Sequence, residues 1–283
     1  MIYILLSVCC SLIVSVLLKL AKRYHIDVLQ AVLWNYSMAA ILTWLIFKPQ
    51  FTPALNAHTN VYLSIGILLP VMFLVIAAAI RTTGIVRTDV AQRLSLIIPI
   101  VAAFWLFHEA SNSLKFIGIA IGIIAVISSI PWQQNAKVGI KNSWLYLLVV
   151  FIGMGAIDVL FKQIAAFKDV PYTASLLFVY TLSFAVALVI LIVQIFRQKT
   201  KFSWPHIFIG WVLGIANFGN ILFYIKAHQA LADKPSTVFA AMNIGVVALG
   251  TVVGLAVFKE KLSLLNKIGI ALAIAAIIII TNA

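Results

Sequence analysis

The residues in this 283-residue chain best placed to do chemistry are a few charged and amide side chains within long apolar runs. Asp89, Gln92 and Arg93 are spaced i, i+3 and i+4, which on a helix puts all three on one face. An arginine on such a face can grip a carboxylate or phosphate through two parallel hydrogen bonds. The plainer reading is an internal Asp89–Arg93 pair that only holds structure. Asp158 and Lys162 repeat the i, i+4 spacing, and a carboxylate at membrane depth can titrate near neutrality and carry a proton. Lys162 and Lys19 each fall near the end of an apolar run, where a lysine stem snorkels to the interface; their recurrence in both halves also suits a gate or cavity rim. Asn35, Tyr36, Tyr180, Asn217, Asn220 and Asn243 supply amides and phenols that either line a cavity or bond helix to helix. An ionisable group in hydrocarbon costs about 3 kcal/mol on insertion scales, so these faces are expected to point inward or to water.

The same inventory argues against an enzyme. His108-Glu109 has no second histidine on the next turn, so the zinc-protease motif is absent. There is no Gly-x-Ser-x-Gly and no phosphate-cradling loop. Asp158 and Asp89 do not suit a shared-proton dyad, because Arg93 neighbours Asp89. Cys9 and Cys10 are adjacent, without metal-ligand spacing. No catalytic residue, metal or cofactor is expected.

The elements that must carry these residues follow from composition. Hydrophobic residues make up 64% of the chain and charged residues 10%, with a mean hydropathy of +1.14. Soluble chains are about half apolar and a quarter charged. Continuous apolar runs of about 20 residues call for helices, since barrel strands are short and alternate in polarity. The expected spans are 2–20, 28–47, 61–80, 85–107, 116–130, 143–164, 172–196, 206–225, 236–258 and 264–281. The fold class is therefore an all-α polytopic membrane protein of about ten helices. The first span has no basic stretch ahead of it and reads as a retained helix. The formal net charge of +13 lies in small groups between runs, the pattern of loops facing lipid headgroups, so no nucleic-acid partner is expected.

An internal repeat organises the spans. Phe107-His108-Glu109-Ala110 precedes Gly118, and Phe258-Lys259-Glu260-Lys261 precedes Gly269; Glu to Gly is nine residues in both, at an offset of 151. The same offset pairs Gln92 with Asn243, while Leu18-Lys19 pairs with Phe161-Lys162 at 143. The chain thus divides into a first unit at 1–132, a connection at 133–142 and a second unit at 143–283. Glu109 and Glu260 are expected to accept hydrogen bonds from amides at the next helix's start, and Gly210 with Gly214 reads as a helix-packing pair. Five spans per unit is odd, so the copies enter the membrane in opposite directions. Inverted repeats are the common architecture of secondary transporters, with a substrate site between the halves. The odd connections carry fourteen Lys and Arg and the even ones six, which predicts odd connections in the cytoplasm.

The paired Phe-x-Glu…Gly motifs, each after an Ala-Leu/Ile start to a span, resemble the EamA-type domains of the drug/metabolite transporter superfamily. That resemblance covers essentially the whole chain. It implies import or export of small metabolites, amino acids or drugs across the inner membrane, with lipids and a small-molecule substrate as partners, as monomer or homodimer. Family members usually carry a proline thirteen residues before the Glu; here Leu96 and Val247 stand there, and Pro99 lies three residues later. Mixed charge among Lys19, Arg93, Lys162, Asp89 and Asp158 favours an amino acid or other carboxylate over a lipophilic cation. A multidrug exporter of the same fold, and more remotely a channel, are the alternatives.

Overall fold

The structure is a computed structural model that describes residues 1–23, 26–50, 53–110, 112–128, 144–197, 202–258 and 264–282, without the side chains of 19, 21–23, 53–55, 85, 86, 254–258 and 266. The described residues form eleven α-helices and no strand. They are α1 (Ile2–Arg23), α2 (Val28–Phe47), α3 (Thr59–Thr83), α4 (Ile85–Leu94), α5 (Ile97–Trp105), α6 (Ser113–Ser128), α7 (Trp144–Ala166), α8 (Tyr172–Phe196), α9 (Pro205–Ala230), α10 (Pro235–Phe258) and α11 (Leu264–Asn282). A 3-10 turn, Pro53–His58, leads into α3.

The helix ends follow from local chemistry. Asp27 caps α2, its carboxylate accepting from the Leu29 and Gln30 amides at 2.9 and 3.3 Å. Lys48, left-handed at φ 43°, ends it. Proline opens α9 and α10 at the first helical position, where its missing N–H costs nothing.

Among the described residues, seven segments are long and apolar enough to cross a membrane: Val28–Phe47, Asn56–Thr83, Arg87–Trp105, Trp144–Ala166, Tyr172–Phe196, Pro205–Ala230 and Pro235–Val253. Three shorter apolar helices accompany them: Ile2–Leu18, Ser113–Ser128 and Lys267–Asn282. Many large aliphatic side chains are exposed, among them Ile46, Ile124 and Val189, as lipid contact requires. Exposed tryptophans lie at helix ends (Trp44, Trp105, Trp144 and Trp204), where aromatic rings anchor in the interface.

The expected span 85–107 is not one rod. Pro99 has no N–H for the Ser95 carbonyl, which accepts instead from Ile98 at 3.0 Å. The Leu96 amide turns to the Arg93 carbonyl at 3.3 Å, and the Ser95 hydroxyl takes up the Gln92 carbonyl. The helix therefore breaks at Ser95-Leu96, dividing α4 from α5.

Two compact units are distinguished, each drawing on both halves of the sequence. One comprises 9–74 and 160–226. In it α2 lies antiparallel on α8: Phe47 meets Tyr172 at 6.4 Å between ring centroids and Trp34 meets Phe184 at 6.2 Å. Here α9 approaches α2 closely. A Cβ added at Gly210 would stand 2.7 Å from the Ala31 carbonyl oxygen, and one at Gly214 2.7 Å from that of Asn35. The pair is thus a packing stripe. The other unit comprises 1–8, 75–159 and 227–283. In it α6 lies antiparallel on α11, with Gly118 against Ile280 and Gly122 near Ala276, while α10 packs on α11, α5 and α6.

Candidate functional site

In the unit holding α4, Arg93 Nε donates to Asp89 Oδ2 at 2.7 Å, and the side chains are 28% and 32% exposed. The pair at i, i+4 is present. It engages only one edge of the guanidinium: the terminal nitrogens of Arg93 have no partner among the described residues. Gln92 lies half-buried beside it, its side-chain amide equally unengaged among those residues. Asp89 thus orients a cationic fork and leaves its outer donors for an anion. Asn243 sits on α10 with its amide donating to the Phe239 carbonyl at 3.1 Å. No hydrogen bond joins it to Gln92 among the described residues.

Glu109 lies deeper. Its side chain is 1% exposed and that of Lys115 3%, with Nζ donating to Oε1 at 2.6 Å. The Ser236 amide and hydroxyl also donate to the carboxylate, both at 2.7 Å. The helix start held by Glu109 is therefore that of α10, and Lys115 of α6 supplies the counter-charge. A buried carboxylate survives only when its lone pairs are filled and its charge is matched. Glu260 lies outside the described residues; Gly118 and Gly269 are buried on α6 and α11.

In the unit holding α2 and α8, several buried polar atoms have no hydrogen-bond partner among the described residues: Trp34 Nε1, Asn35 Oδ1, Tyr36 OH, Tyr180 OH and Ser183 Oγ. Each such atom costs about 1–3 kcal/mol when sealed from water. Asn217 and Asn220 are half-buried on α9, Asn220 being engaged with a neighbour. Lys162 is buried on α7, and both it and Asp158 are engaged. Lys19 lies in α1, its side chain outside the described residues.

At one end of this unit, His58 stacks on Phe167 with centroids 3.7 Å apart. Its Nε2 stands 3.0 and 2.9 Å from the two Asp169 carboxylate oxygens. The hydrogen bond from His58 holds the Asp169 carboxyl below its ordinary value. Its stabilising contribution is present above the usual carboxylate range and is lost as pH falls through that lowered value. Ser175 and Tyr62 share a buried hydrogen bond at 2.9 Å.

Sequence reasoning missed Lys115, Ser236, Ser183 and the His58–Asp169 pair. Lys115 had a signal, a charge six residues after Glu109 in an otherwise apolar helix start. The His58–Asp169 contact, 111 residues apart, had none.

Seven helical segments of spanning length and apolarity among the described residues are those of a multi-pass α-helical membrane protein. No family model matches the sequence. An uncharacterized protein of Haemophilus influenzae is 40% identical over 283 residues, across 97% of this chain and 95% of that protein. The chain belongs to the same family as that protein. It is also similar to a solved crystal structure at a TM-score of 0.74 and 13% identity, over 98% of this chain and 96% of that one. That likeness is one of fold alone.

Proposed function

We propose that this protein is a secondary transporter of the EamA type in the inner membrane, moving a small organic carboxylate such as an amino acid by alternating access of two inverted five-helix repeats. The observation that carries the reading is the Arg93 fork. Asp89 fixes its Nε edge, its terminal nitrogens are unengaged among the described residues, and Gln92 lies alongside. A charge kept at this depth with donors to spare suits a transported anion better than a structural pair, which would use both edges. The antiparallel packing of α2 on α8 and of α6 on α11 supports inverted repeats. In each pair the members occupy equivalent places in the two halves, and a local twofold relation runs such helices in opposite directions.

Proteoliposomes test the proposal. Saturable counterflow of at least one radiolabelled amino acid or small carboxylate is expected. Arg93→Ala should weaken its uptake by about 10²-fold or more, the loss of two charge-assisted hydrogen bonds. Arg93→Lys should retain part of it. Carboxylate counterflow unchanged in folded Arg93→Ala protein overturns the assignment.

A further inference from the structure

Besides Trp34 Nε1, four buried polar atoms without a hydrogen-bond partner among the described residues lie on α2 and α8, which pack on each other. Tyr36 and Tyr180 are fully buried, and both lie between the Trp34–Phe184 and Phe47–Tyr172 contacts of this antiparallel pair, yet their hydroxyls have no hydrogen-bond partner among the described residues. Ser183 presents its unpaired hydroxyl one turn along α8, on the Tyr180 face. Asn35 adds an unpaired carbonyl oxygen from the neighbouring position on α2. Tyr180 follows Tyr36 by 144 residues, one position off the spacing of 143 that pairs Lys19 with Lys162, so the two phenols lie at similar places in the two halves.

The composition of the seam sets the ligand class. Neither α2 nor α8 carries a charged side chain anywhere along its length. A carboxylate or ammonium placed here would lose its hydration and meet no counter-charge. A neutral hydroxyl or amide would lose far less, and would donate to Asn35 while accepting from the phenols. Simple packing accounts poorly for the set, because helix contacts in a membrane favour small or mutually bonded side chains, not repeated unpaired hydroxyls.

We propose that the α2–α8 seam is a binding site for an uncharged hydrogen-bonding molecule of the alcohol or amide class, held by Tyr36 and Tyr180 together. The site is distinct in chemistry from the Arg93 face, and the ligand enters as α2 and α8 part.

Thermal unfolding of the full chain in detergent, followed by tryptophan fluorescence, tests this with three isosteric probes. Propionamide should raise the Tm saturably, by about 2–4 °C at concentrations several times its Kd. Propionate and propylammonium should not act through this site, so their shifts should be the same in the native chain and in a Tyr36→Phe, Tyr180→Phe double variant. That variant should lose the propionamide shift while its unliganded Tm stays equal or rises. Backbone hydrogen exchange in α2 and α8 should slow with propionamide. Failure of propionamide to shift the native chain, a propionate shift that the double variant abolishes, or a propionamide shift kept in the double variant each overturns the proposal. If the double variant does not fold, the isostere comparison on the Arg93→Ala chain decides. Arg93→Ala should leave the propionamide shift intact, so the two sites stand or fall separately.

Discussion

Glu109 is the residue where burial and charge meet most severely. Three donors fill its carboxylate, and one of them, Lys115, is itself buried. Glu109→Ala should destabilise the protein by about 3–5 kcal/mol, because it strands the Lys115 ammonium. Lys115→Met should do the same by stranding the carboxylate. The Glu109→Gln, Lys115→Met double variant should be milder than the sum of its parts, which detergent-based thermal unfolding would read as positive coupling. Additive single losses would mean that the pair is not coupled. At this scale the sequence was legible where spacing alone sets geometry, as with Asp89 and Arg93 four residues apart on one helix. It was opaque where partners come from distant segments. Nothing local marks Ser236 as a donor to a residue 127 positions earlier. Nor does anything local mark Lys162 as buried in the fold, since the same lysine stem serves at a surface.

At the scale of the element, most helices could be read from hydropathy, because an apolar run of spanning length leaves the backbone no other way to satisfy its polar groups. Helix ends shifted by a few residues, as caps and prolines decide them. The broken span was missed for a physical reason. The apolar pattern runs unbroken across Ser95 and Leu96, and the defect arises from a single absent amide at Pro99. The Gly210–Gly214 stripe was legible as packing, though its partner helix was not. A leucine at Gly214 would drive carbon into the Asn35 backbone, which cannot rotate away. Gly214→Leu is therefore expected to cost about 1–3 kcal/mol or more. It should lower the Tm and speed hydrogen exchange in α2 and α9, with Gly214→Ala intermediate. An unchanged Tm for Gly214→Leu would show that α9 has freedom to move off α2.

For the whole molecule, composition alone identifies a membrane protein, since a chain 64% apolar and 10% charged has too little polar surface to face water. Orientation is harder to read because some of the counted charges lie on helices and not in the connections: Lys162 is buried in α7 and Arg93 lies within α4. The proposed inverted arrangement makes a direct prediction at this scale. Ser113 and Leu264 are 151 residues apart, both exposed, and both begin a helix. In a background without Cys9 and Cys10, Ser113→Cys and Leu264→Cys should react with a membrane-impermeant maleimide from opposite faces, Leu264→Cys from the cytoplasm. Labelling from the same face would end the inverted-repeat reading and the carrier mechanism built on it.

The interruption at Ser95 has a mechanical corollary. A continuous helix resists flexing because each bend stretches a ladder of hydrogen bonds. Between α4 and α5 one rung is already missing and its neighbours have been rerouted, so this is the softest point along that span. Arg93 is two positions away. Thermal flexure there swings a guanidinium instead of a methyl group, and an anion docked on it would travel with the swing.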